Sequence, residues 1–264
     1  MTDSNLPRRG FLSATAFGLA STALGAEGEQ RARSTSNRLP RPTPGEFPVL
    51  AISSANGLAA TKRAYEMLVA GKDTLEAVVA GVGIVEADER DTSVGYGGIP
   101  NEECVVELDA AVMHGPKHRA GSVASIRNIK HPAQVALRVM QLTDHELLVG
   151  EGALRFARVM GFPEENLLTE RARKIWLRWK QSLSDKDDWL QPGEDDMDPD
   201  TAAFFRENTR LVQVAGEARL KFERPTGTIH CAAMNANGDI SCTTTTSGLA
   251  FKIPGRVGDS PIIG

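Results

Sequence analysis

The chain has 264 residues, of which 41% are hydrophobic, and this length suits one large domain or two small ones around an ordinary globular core. Its formal net charge is -4 and no dense stripe of lysine and arginine stands out, which argues against nucleic acid as a partner. Three cysteines make no complete disulfide framework, and none has the spacing of a metal site.

The first 26 residues have the pattern of a secretion signal. Arg8 and Arg9 precede an apolar, alanine-rich run at residues 11–25, which is the arrangement of a twin-arginine signal. The run is too short and too polar to span a bilayer, which needs about 20 apolar residues. We predict a signal peptide over 1–26, export to the periplasm or the medium, and no membrane association afterwards; a disordered tail is the alternative.

Predicted elements follow a flexible leader at residues 27–47, which is rich in Arg, Ser and Pro. A buried strand is expected at 49–54 and a helix at 58–69, with Leu58, Tyr65, Leu68 and Val69 forming much of its apolar face. In chain order the patterns then predict a helix capped by Asp73, a glycine-rich loop at 93–100, strands at 105–108, 110–113 and 121–126, a helix at 132–142, an extended or turn segment at 147–149, and helices at 151–160 and 170–182. This order, without strict βαβ alternation, indicates an α+β fold.

Residues 184–224 differ in character, because carboxylates dominate their first half and only Lys186 opposes them locally. Repelling charges with few apolar neighbours cannot offset a chain entropy of about 1–2 kcal/mol per ordered residue. We expect a mobile acidic connector here. A calcium site is the alternative, although the EF-hand spacing is missing.

A β-hairpin is predicted beyond the connector. Residues 228–234 and 239–246 flank the turn sequence at 235–238, whose Asn-Gly pair tolerates positive φ. A third short strand is expected at 249–253. Thr228 therefore stands where the connector meets the first strand of the hairpin.

Several segments carry a resemblance to a known family. They read SVGYGG at 93–98, LDA at 108–110, GSV at 121–123, LVGEGA at 148–153, TSGLAFK at 246–252 and GRVGDSPI at 255–262. These segments resemble the glycosylasparaginase branch of the N-terminal nucleophile hydrolases, and the similarity covers roughly residues 48–180 and 225–264.

The resemblance implies a four-layer αββα sandwich made of two subunits. Residues 48–227 would be the large subunit and 228–264 the start of the small one, and the family assembles as a homo-oligomer of cleaved pairs. Family members continue beyond the position of Gly264 through further strands, which include a Thr-Gly pair that forms the oxyanion hole. The sandwich is therefore expected to be incomplete at its C-terminal end.

The resemblance also implies the chemistry. Self-cleavage between Gly227 and Thr228 would expose Thr228 as a nucleophile whose own α-amine acts as the base, since a threonine hydroxyl needs one. Thr246 matches the position that hydrogen-bonds and tunes this nucleophile. Substrate binding would fall to the loop formed by Arg256, Val257, Gly258 and Asp259. Neither a cofactor nor a metal is implied.

The implied substrate is a small asparagine derivative with a free α-amine and α-carboxylate. Arginine can bind the carboxylate bidentately, while Asp259 would bind the ammonium. Glycosylasparagine is the first choice; β-aspartyl peptides or asparagine come next, and a truncated, non-catalytic relative is the alternative of another class. Two residues depart from the branch: Gly227 replaces an aspartate, as in the isoaspartyl peptidase branch, and His230 replaces a glycine.

Overall fold

The structure is a computed structural model that describes residues 45–184, 186–190, 193, 197–214 and 217–263. The predicted signal peptide at 1–26 and most of the predicted leader lie outside these residues. Within the described part of the chain, helices and strands are mixed, which confirms the α+β class. The strands are β1 (Leu50–Ser53), β2 (Leu108–His114), β3 (Arg119–Ile126), β4 (Leu147–Val149), β5 (Thr209–Val214), β6 (Glu217–Phe222), β7 (Thr226–Met234) and β8 (Ile240–Leu249).

Six of these strands form one sheet in the order β1-β7-β8-β2-β3-β4. All its pairings are antiparallel except that of β3 with β4. The order places strands from both sides of residue 228 next to each other, since β7 lies between β1 and β8, and β8 pairs with β2. The predicted large and small subunits thus share one sheet.

The predicted hairpin is confirmed as β7 and β8, joined through a turn in which Gly238 has φ +78°. Two other strand predictions were wrong. Residues 105–107 precede β2, which is a single strand with a register shift between Leu108 and Ala110. No third strand forms at 249–253: Leu249 is the last residue of β8, the chain turns at Ala250, and Phe251 adopts a left-handed φ of +53°.

The helices are α1 (Leu58–Val69), α2 (Thr74–Glu86), α3 (Pro132–Leu142), α4 (Gly150–Val159), α5 (Glu170–Gln181) and α6 (Pro199–Glu207). The first four, α1–α4, cover one face of the sheet. Asp73 caps α2, as predicted, by accepting hydrogen bonds from the N–H groups of Leu75 and Glu76. The core between α1–α4 and the sheet contains Ile229, Cys231 and Ala233, the residues of β7 that point to this side.

The predicted apolar face of α1 is confirmed only at Leu68. Leu58, Tyr65 and Val69 are exposed, and the helix buries Ala60 and Ala64 beside Leu68. Small residues face α2 because the two helices approach closely: a Cβ on Gly81 would lie 2.6 Å from the Ala60 carbonyl oxygen. The prediction favoured large apolar side chains and therefore missed the small residues that form most of the buried side of this helix.

The second half of the predicted acidic connector, residues 184–224, contains regular secondary structure instead of a mobile chain. Residues 199–207 form α6, which packs beside α5, and residues 209–214 and 217–222 form the antiparallel strands β5 and β6. Their aromatic side chains, Phe204 and Phe222, join a second core in which the rings of Trp179 and Phe251 stack at 4.3 Å. Burial of these rings offsets the loss of chain entropy on ordering this segment.

The other face of the sheet has no helix on it in the described residues. Leu50, Ile52 and Met113 on this face are 52%, 69% and 47% exposed. Packing against a second sheet requires an apolar, uncovered sheet face of this kind. The second sheet of the αββα sandwich stays a prediction. No helix among the residues described is long and apolar enough to cross a membrane.

Candidate active site

Thr228 lies at an irregularity in the sheet. The pairing of β7 with β8 is interrupted between Gly227, which lies opposite Gly248, and Ile229, which lies opposite Thr245. Ser247 takes no part in the ladder, and its N–H donates instead to the carbonyl oxygen of Ser93 at 2.8 Å. A bulge of this kind redirects side chains and frees a backbone group from regular pairing.

The hydroxyl of Thr246 contacts the peptide bond that precedes Thr228. Its Oγ1 donates a hydrogen bond to the carbonyl oxygen of Gly227 at 2.5 Å and accepts one from the N–H of Gly248 at 2.8 Å. Thr246 is 2% exposed, so water does not compete for these bonds. A donor aimed at this oxygen draws electrons from the Gly227 carbonyl carbon and makes it more electrophilic.

The backbone of Thr228 is held from the other side by the end of β1. The Ser54 hydroxyl donates to the carbonyl oxygen of Thr228 at 3.2 Å and accepts from the N–H of His230 at 3.1 Å. The N–H of Ser54 in turn donates to the carbonyl oxygen of His230. These three bonds hold the backbone of Thr228 and His230 against the end of β1.

Gly227 is the residue that its surroundings require. A Cβ at this position would overlap the side chain of Ser93. Ser93 cannot retreat easily, because its N–H and hydroxyl both donate to Asp91 Oδ1, at 2.8 and 2.6 Å. An aspartate before Thr228, as in the glycosylasparaginase branch, would therefore not fit this backbone.

A cavity of about 300 Å³ opens beside this peptide bond. Its lining includes six of the seven residues singled out from sequence: Gly227, Thr228, Thr246, Arg256, Gly258 and Asp259; Gly248, Leu249 and Ser260 complete it. Val257 is half-buried and does not line the cavity. The structure thus brings a hydroxyl pair, a guanidinium and a carboxylate to one small space.

The loop that carries Arg256 is fixed by Glu107. The N–H of Gly255 donates to Glu107 Oε2 at 3.0 Å, while Arg127 donates to Oε1 of the same carboxylate at 2.6 Å. Burial raises the pKa of Glu107, but these hydrogen bonds outweigh it and hold the pKa below its usual value. The ionised carboxylate of Glu107 therefore holds the backbone of the loop at Gly255.

His230, which sequence reasoning placed near the nucleophile, does not line the cavity. Its Nδ1 lies 2.8 Å from Thr244 Oγ1, the residue opposite it on β8. Burial lowers the pKa of His230, which favours the neutral ring at pH 7.

Sequence reasoning did not single out Ser54, Ser93, Glu107, Asp109 or Lys252 as site residues. Lys252, Asp109 and Ser93 stand within the motifs quoted above, and membership in those motifs was the available signal. Ser54 and Glu107 lie outside them. Ser54 contacts Thr228 from 174 residues away in sequence, and nothing local distinguishes it from other serines.

Comparisons with known proteins agree with this arrangement. The profile of the family described as "Asparaginase" matches residues 52–264. The chain is 39% identical over 208 residues to an N(4)-(Beta-N-acetylglucosaminyl)-L-asparaginase of Elizabethkingia miricola, covering 79% of this chain and 52% of that protein. It is 34% identical over 209 residues to the N(4)-(beta-N-acetylglucosaminyl)-L-asparaginase of Mus musculus, covering 78% and 59%.

A third relative has a different name. An Isoaspartyl peptidase/L-asparaginase of Xenopus laevis is 36% identical over 208 residues, which cover 78% of this chain and 56% of that protein. The chain thus spans between half and three fifths of the length of these curated relatives. The family match covers most of the chain and all of the cavity residues, and the chain therefore belongs to the asparaginase family.

Proposed function

We propose that this chain is an amidohydrolase that cuts itself between Gly227 and Thr228 and then hydrolyses the β-amide of asparagine derivatives. The observation that carries the proposal is the hydrogen bond from Thr246 Oγ1 to the Gly227 carbonyl oxygen, at the peptide bond before Thr228 and beside a cavity that Thr228, Arg256 and Asp259 line.

The self-cleavage proceeds in two steps. Thr228 Oγ1 attacks the carbonyl carbon of Gly227, the C–N bond breaks, and the hydroxyl proton ends on the departing nitrogen, which leaves an ester. Water then hydrolyses the ester to a Gly227 carboxylate and a Thr228 hydroxyl with a free α-amine. Thr246 stabilises the negative charge that develops on the carbonyl oxygen in the first step.

The new α-amine then serves as the base for turnover. An α-amino group titrates at about 7.7–8.0 in model peptides, so a useful neutral fraction exists near pH 7 to accept the hydroxyl proton. Thr228 attacks the substrate's β-amide carbon, the protonated amine gives its proton to the leaving nitrogen, and water hydrolyses the β-aspartyl ester. No cofactor or metal takes part in these steps.

Arg256 and Asp259 define the substrate class in this proposal. A guanidinium binds an α-carboxylate and a carboxylate binds an α-ammonium, so a free amino-acid end is recognised through both charges. Glycosylasparagine is the first substrate, supported by the names of two relatives. β-Aspartyl peptides or asparagine are the second candidate, which the name of the Xenopus protein and Gly227 support.

Two further expectations from the sequence belong to this proposal. The chain would be exported by the twin-arginine pathway and would act in the periplasm or medium as a homo-oligomer of cleaved pairs. The alternative of another class is a non-catalytic relative that remains one polypeptide.

Thr228→Ala tests the proposal against this alternative. Intact-mass measurement of the folded wild-type protein should give two fragments that meet at the 227–228 bond, and the variant should give one. The cleaved wild type should release amine from glycosylasparagine or from a β-aspartyl peptide, and the variant should not. A wild type that stays intact, or a variant that still cuts there, would contradict the assignment.

A further inference from the structure

A chain of hydrogen bonds links the two sides of the Gly227–Thr228 peptide bond, and Asp91 stands at its centre. Asp91 lies between the end of α2 and the glycine-rich loop, and its side chain is half-buried. One of its carboxylate oxygens accepts hydrogen bonds from Ser93, and the other accepts one from Asn56. Each of these two contacts, called here the first and the second arm, leads to one side of the peptide bond.

The first arm ends on Gly227. Asp91 Oδ1 accepts hydrogen bonds from the N–H of Ser93 at 2.8 Å and from its hydroxyl at 2.6 Å. The carbonyl oxygen of Ser93 accepts from the N–H of Ser247 at 2.8 Å, so this serine is held by its backbone and by its side chain. Its Cβ occupies the space that a side chain on Gly227 would need. Because a glycine backbone is otherwise free to rotate, Ser93 limits the orientations of the carbonyl group that Thr228 attacks.

The second arm ends on Thr228. Asp91 Oδ2 accepts a hydrogen bond from Asn56 Nδ2 at 2.9 Å, and the amide oxygen of Asn56 faces Ser54. The Ser54 hydroxyl shares its one proton between two acceptors, Asn56 Oδ1 at 3.0 Å and the Thr228 carbonyl oxygen at 3.2 Å. Its oxygen also accepts from the N–H of His230. Asn56 therefore keeps the Ser54 oxygen within reach of the Thr228 backbone.

The position of Asp91 calls for a carboxylate. Three donors converge on it: the N–H and the hydroxyl of Ser93, and Nδ2 of Asn56. An ionised carboxylate accepts at both of its oxygens, whereas an amide accepts at one end and donates at the other. The backbone of Asp91 is fixed as well, since its N–H donates to the carbonyl oxygen of Asp88 at 3.0 Å. Asp91 is thus a fixed support that both arms share.

We infer that Asp91 is a positioning residue for self-cleavage: its two arms fix the backbone on both sides of the Gly227–Thr228 bond, and with it the approach of the Thr228 hydroxyl to the Gly227 carbonyl carbon. Attack requires these atoms to come within about 3–3.5 Å, and a displacement of about 1 Å can slow a reaction about 100-fold. Asp91 acts through its neighbours and transfers no proton. The inference rests on the proposed function and adds a determinant of its first step.

Rates of self-cleavage in variants of the full chain test the inference. The intact fraction is followed by mass spectrometry after a short pulse of synthesis and fitted to a first-order rate constant. Asp91→Ala removes both arms and should cut about 100-fold more slowly than the wild type. Asp91→Asn keeps an acceptor for Ser93 and should cut no more than about tenfold more slowly. Asp88→Ala is the matched control: its carboxylate accepts from Arg90 instead, and the variant should cut at the wild-type rate.

A double variant separates positioning from a loss of stability. Asn56→Ala removes the second arm alone and should cut about tenfold more slowly than the wild type. Asn56→Ala combined with Asp91→Asn should be no slower than the slower of the two single variants, because both changes break the same hydrogen bond. Two independent losses of stability would instead add.

Three results would overturn the inference: a wild-type rate in Asp91→Ala, equal slowing in Asp88→Ala, or additive effects in the double variant. If Asp91→Ala does not fold, Asn56→Ala decides alone, since its side chain is exposed. A wild-type rate in that variant, or slowing that matches a loss of stability measured by urea in the Thr228→Ala background, would contradict us. A wild type that never cuts refutes the proposed function, whereas a wild type that cuts no faster than Asp91→Ala refutes this inference alone.

Discussion

Replacing Thr246 with valine removes the hydroxyl that contacts the Gly227 carbonyl while keeping the shape of the side chain. Valine can neither donate to the Gly227 oxygen nor accept from the Gly248 N–H, so two backbone groups lose a partner at a site that is 2% exposed. A buried polar group without its partner costs about 1–3 kcal/mol. Loss of one donor at a developing oxyanion slows a reaction about 10²–10³-fold, which is about 2.7–4 kcal/mol.

We therefore expect Thr246→Val to cut itself at least about 100-fold more slowly than the wild type. The fraction of intact chain, followed by mass spectrometry after synthesis, measures the rate. Thr246→Ser keeps the hydroxyl and is the control, which should cut within about tenfold of the wild-type rate because only a methyl group is lost. If Thr246→Val cuts as fast as Thr246→Ser, the hydroxyl does not activate the Gly227 carbonyl and the reasoning is wrong.

Two further predictions concern residues that support the site. Gly227→Ala should prevent correct pairing of the start of β7, because its methyl group would overlap Ser93, and adding Ser93→Gly should relieve the overlap; the extent of cleavage in the single and double variants checks this. Glu107→Gln should lower the free energy of unfolding by about 1.5–3 kcal/mol at pH 7. Because the pKa of Glu107 is lowered from 4.5, its contribution is complete above that pH and is lost as pH falls through the lowered pKa. Urea midpoints at pH 7 and pH 3.5 should therefore differ less in the variant than in the wild type.

Local sequence signals predicted much of the fold. The β7–β8 hairpin follows from β-branched residues on either side of an Asn-Gly turn, and both signals act within a few residues. The predictions failed where contacts between distant parts of the chain determine the structure. The aromatic rings of α6 and β6 bury themselves against Phe251, which lies far away in sequence, so a composition dominated by carboxylates was misleading.

The candidate site was predictable in its members but not in its geometry. The sequence motifs identified six of the nine residues that line the cavity, and Val257, the seventh candidate, does not line it. The register shift at Thr228 and the overlap that Ser93 imposes on Gly227 depend on how distant strands and loops approach each other. The carboxylate that holds the Arg256 loop is likewise invisible in a sequence window, because Glu107 and the Gly255 N–H that it binds are 148 positions apart.

The sheet order gives the two sides of the Gly227–Thr228 bond unequal support. From Cys231 onward, β7 pairs with β8 on one edge and with β1 on the other, and Ser54 extends that hold to Thr228. Thr226 and Gly227 pair with β8 alone, opposite Leu249 and Gly248. Breaking the bond therefore leaves Thr228 attached to a strand that is paired on both edges from Cys231 onward, while the residues ahead of it keep pairing with β8 alone, at residues that also line the cavity. Under the proposed mechanism, this asymmetry lets the new C-terminus withdraw from the substrate's place without disturbing Thr228.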